Sequence, residues 1–322
     1  MYSVVAYLSC FFLLTLCRGA HATQHADTPL AWSDALRQPR AWYASGEAAR
    51  IADNVLLYQY PNGGWPKNID LTRIIDPVER TRIRRAMDAE DPRRFPTTID
   101  NGAAHQPARY LARVYAHTHS ERLKRSFFRA LDYLLEAEYE NGGWPQFYPL
   151  RSGYYDHITF NDGAMIGVMR LLRDVARGQA PYAFVDSTRR ADAQRAVDRG
   201  VEVILAAQVR VDSALTVWCA QHDRHDLRPR QARAYEYPSL SGWESVEITR
   251  YLMEIEAPTP PVQNAIESAV AWFGQAQIAG MAVVERPDSS LAAGFDVWVV
   301  ADPSAPPLWR SEEHTSELQS PD

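Results

Sequence analysis

The chain has 322 residues, which is enough for one large domain or two ordinary ones. Hydrophobic residues make up 46% of it and charged residues 23%, which excludes an intrinsically disordered chain. The formal net charge of −6 provides no basic field for nucleic acid, so an acidic ligand would need a local basic cluster or a metal.

Residues 1–22 have the pattern of a signal peptide. An apolar run extends from Val4 to Leu16, and Ala20-His21-Ala22 places small residues around a cleavage point after Ala22. A short membrane anchor is the alternative, but the run is short for a bilayer span. We therefore expect a secreted or periplasmic protein without membrane contact after signal removal. Cys219 is then the only remaining cysteine, so the mature chain can form no internal disulfide.

Helical periodicity dominates the rest of the chain. Apolar residues recur at helical spacing in Trp42 to Tyr58, Ala103 to Tyr115, Leu123 to Tyr139, Ala164 to Arg177, Ala191 to Gln208, Ser245 to Met253 and Val262 to Gln277. Alternating β-branched residues occur only in Ala282 to Glu285 and Asp296 to Val300. No domain boundary is evident between residues 30 and 280, so the pattern predicts one all-α domain with long irregular loops.

Two sequence blocks are repeated along the chain. Asn62-Gly-Gly-Trp-Pro66 recurs as Asn141-Gly-Gly-Trp-Pro145, and Thr98-Ile-Asp-Asn-Gly-Ala103 recurs as Thr159-Phe-Asn-Asp-Gly-Ala164. Ser241-Gly-Trp-Glu-Ser245, before a later helix, is a candidate degenerate third copy. Repeated helical units stack because none can bury its apolar face alone. Closing such a stack into a toroid would gather the equivalent loops at one end.

Each second block carries one acidic and one amide residue before a helix. Asp100 with Asn101, and Asn161 with Asp162, could simply cap the helices that follow. Their equivalent repeat positions favour another hypothesis, in which two carboxylates and two amide oxygens meet at one site. Oxygen ligands suit a hard cation, so the pattern suggests Ca²⁺.

A basic cluster follows Trp218-Cys-Ala-Gln-His-Asp223. Arg228, Arg230 and Arg233 lie within six residues of one another and next to aromatic residues. A solvated charged loop is the ordinary interpretation, whereas guanidinium groups also clamp carboxylates through paired hydrogen bonds. His222 alone is more often a structural histidine than a catalytic one.

Three tryptophans lie in Gly-rich loops. Trp65, Trp144 and Trp243 could pack in the core, and core packing could well apply to two of the three. Exposed on a cleft, they would suit the apolar face of a sugar ring. A cation site, an arginine cluster and aromatic platforms together favour an anionic sugar polymer as the ligand.

The same blocks resemble the polysaccharide lyase family 10 pectate lyases from about residue 40 to residue 309. The resemblance is carried by Tyr58-Gln59-Tyr60, Asn62-Gly-Gly-Trp-Pro-Lys-Asn68, Thr98-Ile-Asp-Asn101, Asn141-Gly-Gly-Trp-Pro-Gln-Phe147, His157-Ile-Thr-Phe-Asn-Asp162, Trp218-Cys-Ala-Gln-His-Asp223, Ala232-Arg-Ala-Tyr-Glu236 and Pro306-Pro-Leu-Trp309. It implies an α/α toroid, here an incomplete (α/α)3-type barrel, and calcium-dependent β-elimination of polygalacturonate.

The resemblance also implies roles for single residues. Asp100 and Asp162 would hold calcium or calcium-bound substrate, with Asn101 as a further oxygen ligand, and Arg233 would be the base. Residue chemistry alone favours His222 over an arginine as base, because guanidinium normally stays protonated. We assign substrate binding to Arg228, Arg230, Trp65 and Trp144. Gly163 departs from the family, which often has a second acidic residue there.

The C-terminal residues Arg310 to Asp322 look like one reading frame of a sequencing adapter, although a genuine polar tail is the alternative. We therefore expect a catalytic domain over residues 23–309 that lacks its C-terminal part, and a tail over 310–322 without function. The expected protein is a monomer that binds pectate. An inverting glycoside hydrolase and a non-catalytic pectin-binding protein remain alternatives.

Overall fold

A computed structural model describes residues 30–234, 236–291 and 294–309. The predictions for residues 1–22 and 310–322 lie outside these residues. The helices are α1 (Trp32–Ala35), α2 (Gly46–Leu57), α3 (Pro77–Asp88), α4 (His105–Thr118), α5 (Glu121–Glu136), α6 (Ala164–Arg177), α7 (Ser187–Ala207), α8 (Gly242–Met253) and α9 (Pro260–Ala276). Short 3-10 turns lie at Arg40–Ala44, Pro92–Arg94, Asp100–Gly102, Tyr154–Asp156 and Asn161–Gly163.

In the described residues, six short strands pair into three antiparallel two-stranded sheets. They are β1 (Ile158–Thr159) with β4 (Gln221–His222), β2 (Arg210–Val211) with β3 (Ala214–Leu215), and β5 (Met281–Pro287) with β6 (Phe295–Ala301). The prediction of an all-α fold is therefore wrong. The alternating runs near residues 282 and 296 form the longest pair, in which Met281 faces Ala301, and pairing between distant loops makes the β1–β4 sheet.

The longer helices pack as pairs in two rows. The pairs are α4 with α5, α6 with α7, and α8 with α9, while α4 contacts α6, and α6 contacts α8. Helix α2 flanks the first pair. Among the described residues, none of the main packing contacts joins α8 or α9 back to α2. The structure therefore does not confirm a toroid.

Local sequence explains where several helices begin and end. Ser45 accepts a hydrogen bond from the Ala48 amide at the start of α2. Asp76 caps α3 ahead of Pro77, and Asp186 caps α7. Gly178, with φ of 64°, ends α6 in the left-handed region that glycine tolerates.

Three buried tryptophans fasten the loops to the helices. The indole N–H of Trp65 donates to the Val55 carbonyl at 2.8 Å, that of Trp144 to Leu134 at 2.8 Å, and that of Trp218 to Ile204 at 2.7 Å. In each case the acceptor lies in the helix that precedes the loop. The contact recurs three times, so Trp218 belongs to a third structural repeat.

The carbonyls of these tryptophans bind the next segment of each repeat. Each accepts a backbone hydrogen bond, from Thr98 at 3.1 Å, from Thr159 at 3.1 Å and from Ser241 at 2.9 Å, in chain order. The third copy suggested at Ser241 is thus present in the structure. The turns Asp100–Gly102 and Asn161–Gly163 and the start of α8 occupy equivalent positions.

The last described residues form an exposed surface. The hairpin of β5 and β6 exposes Val283, Val297, Trp298 and Val299. Trp309 is exposed, although its indole N–H donates to the Phe273 carbonyl, and Leu308 is half-buried opposite Ile278. None of the helices in the described part of the chain has the length and apolar character needed to cross a membrane.

Candidate active site

The two acid/amide turns lie side by side. Asn101 (φ 50°, ψ 28°) and Asp162 (φ 51°, ψ 26°) share the left-handed conformation, which these short polar residues tolerate better than most. Neither turn caps the helix that follows through a side-chain hydrogen bond. The capping alternative therefore fails here. Asn101 and Asp162 instead line one open groove of about 740 Å³.

Asp100 is the buried member of the pair of carboxylates. Its side chain is 4% exposed and forms an ion pair with Lys67. The oxygen that accepts from Lys67, Oδ2, also accepts from Gln146 Nε2 at 2.8 Å. The other oxygen, Oδ1, accepts from the backbone N–H of Asn101 at 3.0 Å. These contacts fix the carboxylate and balance its charge.

Asp162 is the exposed member. Its Oδ2 accepts from Asn161 Nδ2 at 2.8 Å. On the facing turn, Asn101 is also exposed, and its Nδ2 donates to Asn68 Oδ1 at 3.0 Å. The groove therefore presents a carboxylate and an amide on the same side.

These residues fit a calcium ion in their chemistry. Carboxylate and amide oxygens are the ligands that Ca²⁺ prefers, and the buried Gln146 Oε1 beside Asp100 has no hydrogen-bond partner. Within the described residues, no group of three or more His, Cys, Asp or Glu side chains comes together to hold a metal. A calcium ion here would therefore need amide, water or substrate oxygens besides Asp100 and Asp162.

The arginines of the basic cluster are held within their own loop. Arg230 pairs with Asp223 at 3.2 Å and with Asp226 at 3.4 Å, and Arg228 lies 3.9 Å from Asp226. Both side chains remain partly exposed. The loop is thus charged and solvated, as the ordinary interpretation proposed, and its guanidinium groups stay accessible to an anion.

Arg233 forms an ion pair with Glu236. Its backbone amide also donates to Glu236 Oε2 at 3.1 Å, and the hydrogen bond from the Arg233 side chain lowers the pKa of the Glu236 carboxyl. The Arg233 side chain is largely exposed. Its guanidinium is therefore accessible from solvent while it pairs with Glu236.

The arginine loop adjoins the second turn. Asn161, Arg230, Glu236 and Glu244 line one cavity of about 310 Å³. Strand pairing holds them together, because Gln221 in β4 lies opposite Thr159 in β1, and its carbonyl accepts from the Arg230 amide at 3.0 Å. The structure thus brings Asp162 and the arginine loop to one side of the molecule.

His222 is a structural residue. It is fully buried, its Nε2 accepts from the Cys219 amide at 3.1 Å, and its Nδ1 lies 2.8 Å from the Leu227 carbonyl. These contacts require the proton on Nδ1, and burial lowers the pKa of the imidazole to about 4. With both nitrogens occupied, His222 cannot reach a substrate proton.

The tryptophans divide into two groups. Trp65 and Trp144 are completely buried, so a sugar ring has no access to either, and we do not retain a stacking role for them. Trp243 is 60% exposed and lines the same groove as Asn101 and Asp162. An aromatic platform in this groove would therefore be Trp243.

The structure adds residues that sequence reasoning missed. Lys67 and Gln146 each follow a loop tryptophan by two positions, and both donate to Asp100. Glu244 follows Ser241 by three positions, as Asp162 follows Thr159, and it accepts a hydrogen bond from Ser241. Alignment of the repeats by their tryptophan and threonine positions could have found all three.

Comparison with known proteins supports the family resemblance of the sequence blocks. The family described as pectic acid lyase matches residues 59–312. A mutant family 10 polysaccharide lyase from Cellvibrio cellulosa, in complex with trigalacturonic acid, is 33% identical, with a TM-score of 0.69 over 85% of this chain and 80% of that chain. A second structure, of the family 10 polysaccharide lyase from the same organism, has the same identity and TM-score over 85% of this chain and 79% of that chain.

No curated protein matches the chain significantly. The match to the family nevertheless covers most of the sequence, including the repeated sequence blocks and the arginine loop. The resemblance seen in the sequence is confirmed. The chain therefore belongs to the pectic acid lyase family, as a family 10 polysaccharide lyase, and it is an enzyme of the pectate lyase class.

Proposed function

We propose that this enzyme cleaves polygalacturonate by calcium-assisted β-elimination in the groove beside the two left-handed turns. The observation that carries the proposal is the adjacency of Asn101, Asp162 and the arginine loop on one side of the molecule. Oxygen ligands and guanidinium groups are the two kinds of group that bind uronate carboxylates, through a cation or directly. The relative in complex with trigalacturonic acid supports this substrate class.

Asp162, Asn101 and Asp100 would hold the calcium ion. When bound, calcium would stabilise negative charge on the uronate carboxylate as a Lewis acid. Asp162 would face the substrate because it is the exposed carboxylate, whereas Asp100 would be the buried carboxylate ligand. Arg228 and Arg230, already oriented by Asp223 and Asp226, would bind neighbouring carboxylates of the polymer.

Arg233 is the proposed base. It would leave Glu236 and act in its neutral form after giving one guanidinium proton to water, a form that the neighbouring positive charges of Arg228, Arg230 and a bound calcium ion would favour by repulsion. Neutral Arg233 would then take the proton from carbon 5 of the sugar, and the C–H electron pair would form the double bond between carbons 4 and 5. The bond from carbon 4 to the glycosidic oxygen would break, and that oxygen would take a proton from water. Glu236 could hold Arg233 in place between turnovers.

An assay on polygalacturonate separates this proposal from its alternatives. The lyase releases an unsaturated, ultraviolet-absorbing product, and a chelator stops the reaction until calcium is restored. A hydrolase would give reducing ends without absorbance, and a pectin-binding protein would give neither. Absorbing product whose rate is insensitive to chelator would contradict the role of calcium.

A matched pair of variants tests the groove. We expect Asp162→Asn to lower kcat/KM by about 100-fold, because it removes the exposed carboxylate. Asp192→Asn removes a surface carboxylate on α7 that pairs with Arg195 and should leave the rate unchanged. Equal rates in the two variants would exclude Asp162 from the site.

Export belongs to the same proposal. The apolar run before Ala22 and a polymeric substrate outside the cell support a secreted or periplasmic enzyme. The monomeric state remains a prediction. Mass spectrometry of the exported protein should find an N-terminus at Thr23. Retention of the intact N-terminus in the cell fraction would contradict export with cleavage.

A further inference from the structure

Asp100 has a cationic partner of an unusual kind for this chain. The chain contains 34 basic residues, of which only Lys67 and Lys124 are lysines. Lys67 is the one that pairs with Asp100, and it is 35% exposed against 4% for the carboxylate. An ammonium group on a flexible stem can withdraw more easily than a guanidinium clamped through two hydrogen bonds.

The second repeat shows that the charge of Lys67 is not required to orient Asp100. Gln146 occupies the equivalent position two residues after Trp144, and its neutral amide donates to the same oxygen of Asp100 at 2.8 Å. The backbone N–H of Asn101 donates to the other oxygen, Oδ1. Lys67 therefore contributes mainly positive charge, which balances a buried carboxylate.

Asp162 has no cationic partner of this kind in the described residues. Its contact in the described residues is the neutral amide of Asn161, and none of the ion pairs in that part of the chain includes it. One carboxylate is thus neutralised by a lysine, while the other faces the open groove and forms no ion pair within the described residues.

We propose that Lys67 is a built-in counter-cation that neutralises Asp100 in the calcium-free enzyme and competes with Ca²⁺ for this carboxylate. The inference rests on the proposed function, since it takes Asp100 as a calcium ligand. Binding of the ion would displace the ammonium from Asp100 toward solvent, to which the Lys67 side chain is already partly exposed. Lys67 thereby lowers calcium affinity and keeps the calcium-free site folded.

Calorimetric titration with calcium chloride, without substrate, tests the inference. We expect Lys67→Gln to lower the calcium Kd by about tenfold, because one competing positive charge is lost near the site. Lys67→Arg should raise the Kd, since a guanidinium holds the carboxylate through paired hydrogen bonds. Lys124→Gln, which removes the other lysine at its surface pair with Glu121, should leave the Kd unchanged.

Thermal unfolding adds a second readout. Without calcium, Lys67→Gln should unfold at a lower temperature than wild type, and saturating calcium should raise its Tm by a larger increment. Unchanged or weaker calcium binding by folded Lys67→Gln overturns the inference. Should that variant not fold, Lys67→Arg decides, because a Kd equal to or below that of wild type contradicts competition.

Asp100→Asn distinguishes failure of the inference from failure of the metal site. Loss of calcium binding in Asp100→Asn, together with no tightening in Lys67→Gln, rejects only the role of Lys67. If wild type binds no calcium, or binds it equally well without the Asp100 carboxylate, the proposed metal site and the inference both fail.

Discussion

The first two repeats and the third share one backbone frame but carry different chemistry. In all three, a buried tryptophan donates to the preceding helix and its carbonyl accepts from the residue that leads into the next turn. The first two turns then present an acid/amide pair in a left-handed conformation, whereas the third begins α8 directly with exposed Trp243. The frame is thus common, while each repeat contributes separate parts of the site.

The loops that carry the tryptophans also share some contacts and differ in others. Gln59 ties the first loop to the carbonyls of Gly63 and Ser126, both at 2.9 Å, and Gln208 ties the third to Thr216 and Ala265 at 2.9 and 3.0 Å. The first two loops turn on glycines, and the third extends into the β2–β3 hairpin. After Trp218, the third repeat continues into the arginine loop, which has no counterpart in the other repeats.

The largest expected effect tests whether the arginine loop of the third repeat supplies the catalytic base. Arg233→Ala should lower kcat for elimination by about 100- to 10,000-fold while polymer binding stays close to wild type, because a base serves the transition state. Arg195→Ala, at a surface ion pair on α7, is the control and should keep its rate. Initial rates of unsaturated product and a pull-down on pectate gel measure both properties. Wild-type turnover in Arg233→Ala would move the base to another residue, such as Arg230.

The next effect tests the tight loop that the third repeat lacks. Gly142 has φ of 93°, and a Cβ atom there would lie 2.5 Å from the backbone carbon of Arg199 in α7. Gly142→Ala should lower the free energy of unfolding by about 3 kcal/mol or more, through backbone strain and overpacking. Denaturant unfolding measures it. Gly46→Ala has open space at the start of α2 and should be neutral, so equal losses in both variants would contradict the argument.

The pH dependence of stability tests the role of buried His222, which contacts the Leu227 carbonyl in the arginine loop. Burial lowers the pKa of His222 from 6.5 to about 4, so between these values the unfolded chain binds a proton that the folded chain excludes. The contribution of His222 to stability is therefore complete above pH 6.5 and decreases as the pH falls toward 4. From pH 7 to pH 5, wild type should lose about 2 kcal/mol more than His222→Gln.

Denaturant titrations at the two pH values provide the measurement for His222. His117→Gln is the matched control, since His117 is exposed on α4 and its replacement should leave the pH difference of wild type intact. A His222→Gln variant with the full wild-type pH dependence would show that another group is responsible.

The smallest effect concerns the aromatic surface of the third repeat. Trp243→Ala should raise KM for polygalacturonate by about tenfold, with little change in stability, because an exposed indole in the groove offers a face for sugar stacking. Trp298→Ala removes an exposed indole from β6, outside the groove, and should leave KM unchanged. Equal KM values for Trp243→Ala and wild type would remove Trp243 from the binding surface.

Sequence alone predicted much of this arrangement. The repeated Asn-Gly-Gly-Trp-Pro loops, the two acid/amide pairs and most helices follow from local spacing, because a turn or an amphipathic face depends on neighbouring residues. The family resemblance was visible at the same level. The metal, base and substrate roles of Asp100, Asn101, Asp162, Arg228, Arg230 and Arg233 stay predictions.

Tertiary structure decided what local patterns could not. The burial of Trp65 and Trp144, the pairing of β1 with β4, and the ion pair of Lys67 with Asp100 join residues far apart in the chain. Motif residues of the same type therefore acquired opposite roles: two indoles in the core and one on the surface, one carboxylate neutralised and one exposed. The repeated sequence determined that these residues would recur, whereas burial and long-range contacts, which depend on the packing of the whole chain, determined what each of them can bind.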